Sequence, residues 1–536
     1  MKKLPVGKQV FEKLISGGYQ YVDKTRYIYD LIDSGIDQFF LSRPRRFGKT
    51  LMCWTLDALF SGKRELFEGL AISKTDWEWE SYPILHLDMS LVSTSAGMDG
   101  VMESLRERMK VIARMHGVDV CDLTVPGVML GRIITETSER HGKPVVVIVD
   151  EYDKPFLDFY SKPPIAREVR EILRDCYINF KAGEQYIRFL FMTGISKFAR
   201  MGVFSTLNQL TDISLKEEFG VSLGYTEEEL VENFGEHLEF GAKKLDCAVN
   251  ELVDKMRHYY NGFCFDGVQK VYNPFSTLNF LTDFKFVNHW MESANPKIIA
   301  DYMKDRNLTV EQFRGMQVSK DFAKNPGEIE TAPPESFLYQ SGYLTLREGV
   351  SDDFSLDYPN VEVLNSMSKL VYANIMRCRD DGGDLDISAP FMKALIDVNC
   401  DLMIEMLNHL LASIPYDDYA KSAQLAIKLS GIPTQEWLYR SNILAFLRGC
   451  GVLVVGEMHT SKGRSDLLVC HRGAAWVIEI KVAYNDDGKV LAKEALEQIN
   501  ARQYADPFKT AKKVGIAIDD GARQIKDWVV GGDKKI

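Results

Sequence analysis

The segment that most constrains the fold is residues 39–50. An apolar run leads through an arginine-rich turn into Gly-Lys-Thr at positions 48–50. A strand that enters a helix through such a turn is typical of a phosphate-binding loop, whose backbone N–H groups face the phosphates. In such a loop, Lys49 is predicted to reach the β- and γ-phosphates and Thr50 to place its hydroxyl on Mg²⁺. The general pattern begins with glycine where this chain has Arg43, so Gly-Lys-Thr alone is also compatible with an ordinary helix start.

Two carboxylates supply the partner that a phosphate-binding loop needs. The run Val145–Val149 contains only β-branched residues and predicts a strand buried on both faces, as in a parallel sheet. Asp150 and Glu151 follow at the end where open α/β sheets bind ligands. Asp150 is predicted to hold Mg²⁺ through water and Glu151 to polarise the attacking water, with solvated acids at a strand end as the alternative. Phosphoryl transfer requires both a phosphate cradle and a metal-binding carboxylate, so the two motifs together predict an ATP site with Mg²⁺.

Composition narrows the class of protein. A chain of 536 residues is too long for one core. A net charge of −11 excludes a broad nucleic-acid surface, so DNA or RNA would need a local basic groove. The nine cysteines form no Cys-x-x-Cys pair, which favours a reducing compartment and argues against structural zinc. The N-terminus lacks an apolar signal core and no run of about eighteen apolar residues occurs, so we expect a cytoplasmic protein without membrane contact.

Predicted strands and helices alternate through the first part of the chain. The strands are 37–41, 83–88, 144–149, 187–193 and 209–215, and the helices are 49–60, 97–116, 127–141 and 165–181. This order predicts an α/β fold in which a parallel sheet has helices on both faces. The strand at 83–88 separates the two motifs, which indicates the P-loop ATPase branch with an additional strand. Thr193 or Ser196, at the tip of the fourth strand, is predicted to sense the γ-phosphate, and simple capping of that strand is an equal alternative.

The chain is predicted to contain four domains. They are a P-loop domain (1–225), a helical lid or winged-helix-like extension (226–290), a helix-rich linker domain (291–430) and a C-terminal α/β/α domain (431–536). Thr226 and Glu229 predict a capping box at the start of the second domain. Aromatic residues at 259–265 favour a hairpin packed on a core, and a stacking surface for nucleic acid is the alternative.

The C-terminal domain contains a second chemical centre. Residues 463–469 and 476–482 predict two strands of a hairpin, which would bring Asp466 beside Glu479. Strand alternation places Glu479 and Lys481 on one face. Carboxylate oxygens suit Mg²⁺ or Mn²⁺, and Lys481 is predicted to orient the attacking water or to stabilise charge on a phosphate. An ion pair on a solvated sheet face is the alternative.

Two predicted helices flank this hairpin. Glu436 lies in the first helix, and its carboxylate is predicted to complete the metal site. Gln498 and Tyr504 lie in the second helix, 491–505, and are predicted to touch the scissile phosphate. A plain cover for the sheet is the favoured alternative for that helix.

The chain resembles a bacterial family that joins an AAA-ATPase-like domain to a C-terminal nuclease-like domain of the PD-(D/E)XK superfamily. The segments that carry the resemblance are Tyr-Val-Asp-Lys-Thr at 21–25, the loop at 43–50, Asp-Glu-Tyr-Asp-Lys-Pro at 150–155, Gly-Arg-Ser-Asp at 463–466 and Glu-Ile-Lys at 479–481. The loop with arginine in place of the first glycine is this family's own form. Ser465 stands where the superfamily name implies proline, and that proline is often absent.

The resemblance implies ATP binding and a nuclease fold. The residues implied for ATP binding are Arg45, Arg46, Phe47, Gly48, Lys49, Thr50, Asp150 and Ser196. An arginine that stabilises the ATP transition state normally comes from a neighbouring element or subunit. The candidates for it are Arg45, Arg46, Arg167, Arg170 and Arg200, and the first two could instead hold phosphates or form ion pairs within the domain.

Three functions are compatible with these motifs. The favoured one is an ATP-controlled, Mg²⁺- or Mn²⁺-dependent nuclease that acts on DNA or RNA through a local groove. The second is a nucleotide-switched module whose nuclease-like domain binds nucleic acid or protein without cutting. The third is a transport or signalling ATPase whose C-terminal domain assembles a homo-oligomer.

Overall fold

The protein, seen here in a computed structural model, contains two compact units. The first consists of residues 1–294 and 315–363, and the second of 295–314 and 364–536. The structure describes residues 1–197, 209–290, 299, 310–319, 322, 333–349, 353–377, 388–412, 414, 435–450, 452–460, 463–471, 474–505 and 511–531. Among these residues, no helix has the length and apolar character needed to cross a membrane. The boundaries of the four predicted domains stay a prediction.

A five-stranded sheet organises the first unit. Its strands are β1 (Gln38–Ser42), β2 (Ile84–Asp88), β3 (Val145–Asp150), β4 (Ile187–Gly194) and β5 (Thr211–Asp212). They lie in the order β2-β3-β4-β1-β5, and every pair is parallel. β4 therefore lies between β1, which precedes the loop, and β3, which precedes the carboxylates. The predicted α/β fold is confirmed, with β5 shorter than the predicted strand 209–215.

The residues of β3 are as buried as its inner position in this sheet requires. All six of its residues are buried, as expected for a parallel strand covered on both faces. The helices of this region are α1 (Phe11–Ser16), α2 (Thr25–Asp33), α3 (Lys49–Phe60), α4 (Gly97–Met115), α5 (Pro126–His141), α6 (Lys154–Leu157) and α7 (Pro163–Ala182). The bounds of α3 agree with the prediction. Pro126 and Pro163 begin α5 and α7, because the first helical turn has no use for the N–H that proline lacks.

Three helices and a hairpin follow the sheet. They are α8 (Glu227–Lys244), α9 (Val249–Tyr260), β6 (Phe263–Cys264), β7 (Lys270–Val271) and α10 (Pro274–Asp283). The hydroxyl of Thr226 accepts from the N–H of Glu229, and the carboxylate of Glu229 accepts from the N–H of Thr226. The predicted capping box is therefore present. Tyr260, Phe263 and Phe265 are buried. Their burial supports the predicted hairpin packed on a core rather than the alternative, a stacking surface for nucleic acid.

The middle of the chain contains short strands as well as helices. β8 (Met316–Val318), β9 (Thr345–Glu348) and β10 (Phe354–Asp357) form an antiparallel sheet in the order β8-β10-β9. The helices beside them in sequence are α11 (Pro334–Gln340) and α12 (Val361–Arg377). The sequence predicted a helix-rich region here and none of these strands, because strands of three or four residues are too short to show a clear alternation.

A second five-stranded sheet organises the second unit. Helices α13 (Ser388–Ile396), α14 (Cys400–Ala412) and α15 (Gln435–Gly449) precede it, and α16 (Gly488–Ala501) lies within it in sequence. The strands β11 (Leu453–Thr460), β12 (Gly463–His471), β13 (Ala474–Ala483), β14 (Lys512–Asp519) and β15 (Gln524–Gly531) lie side by side in chain order. β13 and β14 are parallel and α16 provides the crossover that parallel strands require. Ile478 and Ile480 face the apolar core of this unit, opposite the predicted site.

Candidate functional sites

The loop between β1 and α3 encloses the ammonium group of Lys49. Gly48 is the N-cap residue of α3 with φ +95°, a left-handed conformation that glycine adopts without strain. Nζ of Lys49 donates hydrogen bonds to the carbonyl oxygens of Arg43 and Pro44, both at 2.9 Å. Burial lowers the pKa of Lys49, and the negative charge of Glu151 acts in the opposite direction. The ammonium group therefore lies between the loop and the carboxyl end of β3.

Arg43, which replaces the expected glycine, is a buried structural residue. Its side chain is 1% exposed and donates to the carbonyl oxygens of Ser42, Ser214 and Phe219 at 2.7 to 2.9 Å. The guanidinium group also lies 4.2 Å from the ring centroid of Phe265. Burial lowers the pKa of Arg43 to about 10. This side chain joins the start of the loop to the segment that follows β5, which explains why a larger residue stands in place of glycine.

The next three loop residues have different surroundings. Arg45 is half-buried, whereas Arg46 is exposed, with φ +66° and its guanidinium group 5.0 Å from the ring centroid of Phe275. Phe47 is buried and packs edge-on against Phe263, with 4.8 Å between ring centroids. Phe47 can therefore offer only its backbone to a phosphate. The predicted contacts of Arg45 and Arg46 with ATP stay predictions.

Thr50 and Asp150 provide oxygen atoms that fit a magnesium ion. Burial raises the pKa of Asp150, whereas the nearby hydroxyl of Thr50 and the charge of Lys49 lower it. Oδ1 of Asp150 is buried and has no hydrogen-bond partner within the described residues, as expected for a ligand of a hard cation. Glu151 follows with φ +50°, a backbone conformation that is often found at functional sites.

Asp153 is a site residue that the sequence analysis did not single out. It is fully buried and accepts hydrogen bonds from the N–H groups of Ile195 and Ser196 and from the Ser196 hydroxyl, at 2.8 to 3.1 Å. Burial raises its pKa. Asp153 therefore holds Ser196, the predicted γ-phosphate sensor, at the tip of β4. Thr193, the alternative sensor, is buried and donates its hydroxyl to the carbonyl oxygen of Leu41 at 2.8 Å, so that hydroxyl links two strands.

The arginines predicted to stabilise the ATP transition state differ in their exposure. Arg167 is exposed on α7, and Arg170 is buried on the same helix. Arg200 lies outside the described residues. Arg167 could therefore reach a neighbouring molecule, while Arg170 is committed to the interior of its own unit.

An apolar cleft lies beside Gly48. Its lining includes Phe47, Gly48, Leu51, Leu223 and Pro274 together with Tyr21, Val22 and Lys24 of the 21–25 motif. Nζ of Lys24 donates to both carboxylate oxygens of Glu229 at 2.6 Å and to the carbonyl oxygen of Val221 at 2.7 Å. The motif thus forms one wall of the cleft and joins it to α8.

In the second unit, β12 and β13 bring Asp466 and Glu479 together. The N–H of Asp466 donates to Oε2 of Glu479 at 3.3 Å, and the N–H of Ile480 donates to Oδ2 of Asp466 at 2.8 Å. Nζ of Lys481 lies 3.8 Å from Oε1 of Glu479. Burial and the negative charge of Asp466 raise the pKa of Glu479 to about 8. Two buried carboxylates close to one another repel each other unless a proton or a cation intervenes.

Helices α15 and α16 add further groups to this site. Burial and the charge of Asp466 raise the pKa of Glu436, which places Glu436 near the pair. Arg440, one turn later on α15, brings Nη1 to 3.3 Å from Oδ1 of Asp466. The side-chain amide of Gln498 on α16 donates to Oε1 of Glu479. Sequence reasoning missed Arg440, although its spacing of four residues from Glu436 was an available signal.

Tyr504 does not take the predicted position. It is 2% exposed and packs with Leu468, Val477 and Ile499 in an apolar cluster. The structure therefore corrects its predicted contact with the scissile phosphate. Gln498 reaches the carboxylates, whereas Tyr504 belongs to the cover over the sheet.

The donor set of the second site is compatible with a divalent metal, but the arrangement is closed. Within the described part of the chain, no three His, Cys, Asp or Glu side chains are arranged to hold a metal ion. The carboxylate oxygens of Asp466 and Glu479 already accept hydrogen bonds from Arg440, Gln498 and the backbone. Hard oxygen donors suit Mg²⁺ or Mn²⁺, so an ion would have to displace some of these hydrogen-bond donors.

Comparison with known proteins agrees with this geometry. Residues 5–204 match a family model described as predicted AAA-ATPase, and residues 434–528 match one described as PD-(D/E)XK nuclease superfamily. A protein of Azotobacter chroococcum mcd 1, described as an uncharacterized protein in the vnfD 5' region, is 30% identical over 548 residues, and the match covers 99% of each chain. The chain belongs to this AAA-ATPase-like family. The predicted membership, including the C-terminal PD-(D/E)XK domain, is confirmed.

A solved structure adds a distant likeness to this AAA-ATPase-like protein. Its title is "Structure of the Aeropyrum Pernix ORC2 protein (ADPNP-ADP complexes)". The two chains are 12% identical, the match covers 65% of this chain and 92% of that chain, and the TM-score is 0.24. A likeness at this TM-score transfers neither a site nor a partner.

Proposed function

We propose that this protein binds and hydrolyses ATP at the loop of the first unit and acts on nucleic acid at the carboxylate site of the second. One observation carries the ATP site: Lys49 and Thr50 begin the helix that follows β1, and Asp150 ends β3, so all three lie at the carboxyl end of the same parallel sheet. Glu151 follows Asp150 directly. These are the groups that phosphoryl transfer needs for charge neutralisation and for positioning of the attacking water.

Lys49 would bind ATP by exchanging its hydrogen-bond partners. Its ammonium group donates to two neutral carbonyl oxygens of the loop, and charged phosphate oxygens are stronger acceptors. Thr50 and Asp150 would hold Mg²⁺, which when bound neutralises charge on the phosphates. Glu151 would orient the attacking water as a hydrogen-bond acceptor, while Asp153 keeps Ser196 in place at the neighbouring strand tip.

The cleft beside Gly48 supports a nucleoside at the same site. It begins at the loop that would hold the phosphates, and its mainly apolar lining suits the faces of a purine ring. Lys24, whose ammonium group donates to Glu229, supplies a polar group at its wall.

Calorimetric titration with ATP and Mg²⁺ tests the first half of the proposal. Lys49→Ala is expected to weaken ATP binding at least about 30-fold, because loss of a charged partner costs 2–5 kcal/mol. Glu151→Gln is expected to bind ATP normally and to lose turnover. Lys110→Ala removes an exposed lysine on α4 and serves as the matched control. Wild-type affinity in Lys49→Ala would show that the loop does not bind phosphates.

At the second site, Asp466 and Glu479 would hold Mg²⁺ or Mn²⁺, with Glu436 as a further acid. The metal, when bound, activates water and stabilises charge on a phosphate. Lys481 would orient that water or contact the phosphate. Incubation of the protein with DNA and RNA, with Mn²⁺ and with or without ATP, tests this half, and Asp466→Asn is expected to abolish cutting. Failure to cut any form of DNA or RNA would refute the proposed nuclease activity.

The hydrogen bonds at this site favour a second candidate function. Because Arg440 and Gln498 already occupy carboxylate oxygens, the domain could bind nucleic acid without cutting it, under the control of the nucleotide site. Titration with Mn²⁺ discriminates between the two functions. Heat of binding that Asp466→Asn abolishes supports the nuclease, and absence of such binding supports the nucleotide-switched module.

A further inference from the structure

Arg440 makes a contact at the carboxylate site that the proposed chemistry does not explain. Its Nη1 lies 3.3 Å from Oδ1 of Asp466, and the two side chains are 17% and 10% exposed. Both residues belong to elements with other assigned roles: α15 also carries Glu436, and β12 places Asp466 beside Glu479. Asp466 is a predicted metal ligand, and the positive charge of Arg440 lies where a bound cation would lie.

The two oxygens of Asp466 are held in different ways. Oδ2 accepts from the backbone N–H of Ile480 at 2.8 Å, and that donor is fixed in β13. Oδ1 accepts from the side chain of Arg440, which is not part of the hydrogen-bonded backbone of the sheet. Oδ1 is therefore the oxygen that can become available to a metal, and Arg440 decides when it does.

A phosphodiester is the ligand best suited to draw Arg440 away. A guanidinium group binds phosphate oxygens in the same bidentate, charge-assisted manner as a carboxylate. The acids around Arg440, namely Glu436, Asp466 and Glu479, repel the phosphate, so the backbone of a nucleic acid could approach this site only with cations between them. Arg440 and a divalent metal would together supply that positive charge.

We propose that Arg440 is a phosphate-responsive latch on the metal site. Without nucleic acid, its guanidinium group pairs with Asp466 and competes with Mg²⁺ or Mn²⁺. When a phosphodiester enters, Arg440 transfers its hydrogen bonds from Asp466 to the phosphate, and Oδ1 becomes free to ligate the metal. Metal and nucleic acid then each increase the affinity for the other, as reciprocal coupling requires. This inference rests on the function proposed for Asp466 and Glu479.

Mn²⁺ titration of the full chain by calorimetry, without nucleic acid, tests the latch. Arg440→Met keeps the length of the side chain and removes its charge, and it is expected to bind Mn²⁺ about tenfold more tightly, within the 5- to 150-fold span of typical couplings. Arg440→Lys keeps the charge and is expected to stay near the wild type. Arg502→Met removes an exposed arginine after α16 and is the matched control. Mn²⁺ affinity in Arg440→Met equal to or weaker than that of the wild type would overturn the latch.

Fluorescence anisotropy with labelled DNA and RNA of the same sequence tests the reciprocal effect. In the wild type, saturating Mn²⁺ is expected to tighten binding of the phosphodiester about tenfold, and in Arg440→Met this dependence is expected to shrink to less than about twofold. Comparison of the two polymers identifies which one the site takes. An equal Mn²⁺ dependence in the wild type and Arg440→Met would contradict the latch, even if Arg440→Met bound Mn²⁺ tightly.

The controls separate failure of the latch from failure of the proposed site. If Mn²⁺ binds the wild type but not Asp466→Asn, and the Arg440 variants change nothing, the metal site stands and the latch is wrong. If the wild type and Asp466→Asn are alike in failing to bind Mn²⁺ with and without nucleic acid, both are wrong. Circular dichroism of each variant establishes that it is folded, and Arg440→Gln, which also removes the charge, replaces Arg440→Met if Arg440→Met is not folded.

Discussion

Restoration of the usual glycine at position 43 is expected to damage this protein. Arg43→Gly would give the loop the general phosphate-binding pattern, and on sequence grounds alone it should be neutral or favourable. In the structure the Arg43 side chain donates to three carbonyl oxygens, those of Ser42, Ser214 and Phe219. It also lies against the ring of Phe265. Glycine would remove all of these contacts and leave a cavity at the base of the loop.

The size of the loss follows from the groups left without partners. Each buried carbonyl oxygen without a donor costs about 1–3 kcal/mol, and the lost contact with the ring of Phe265 adds roughly 2 kcal/mol in a desolvated position. Burial of the guanidinium charge itself costs several kcal/mol, and the substitution recovers that cost. We therefore expect a net destabilisation of the first unit by about 3–5 kcal/mol.

Urea unfolding, followed by circular dichroism, measures this loss in the free energy of unfolding. Arg46→Gly is the matched control, because Arg46 is exposed in the same loop and has φ +66°. Glycine there relieves backbone strain and loses the contact with Phe275, so the change is expected to stay within about 1 kcal/mol. Wild-type stability in Arg43→Gly would refute the structural role assigned to Arg43, and tighter ATP binding by that variant would show that the arginine only obstructs the loop.

Three further predictions concern buried side chains. Burial raises the pKa of Glu362 from 4.5 to about 8. Between these pH values the native state keeps a proton that the unfolded chain loses, so the free energy of unfolding falls as the pH rises. Urea unfolding midpoints at several pH values should show that Glu362→Gln removes this fall. Asp153→Asn is expected to cost about 2–3 kcal/mol and Ser196→Ala about 1 kcal/mol, and thermal unfolding that ranks them in the opposite order would contradict the role of Asp153. Tyr504→Phe is expected to keep the rate of Mn²⁺-dependent cutting within about twofold of the wild-type rate, because the ring of Tyr504 packs in an apolar cluster. A tenfold loss would show that the Tyr504 hydroxyl contacts the phosphate after all.

Local patterns were sufficient for much of the fold. The alternation of apolar runs and amphipathic helices predicted the parallel sheet of the first unit, because strands buried on both faces need unbroken apolar sequence, as in β3. The three strands of the middle region escaped prediction because each is only three or four residues long. At the sites, charged residues at strand ends pointed to Asp150 and Asp466 directly.

The sequence by itself determined which chemical groups this protein carries and in which elements they lie. Lys49, Thr50 and Asp150 follow from loop and strand patterns, and Glu479 and Lys481 follow from a period of two. Tertiary structure alone decided how the groups are used. The role of Arg43 depends on carbonyl groups more than 170 residues away, and the pairing of Arg440 with Asp466 joins a helix to a strand. Such contacts depend on packing between distant segments, and local sequence does not encode which distant partner a buried side chain will meet.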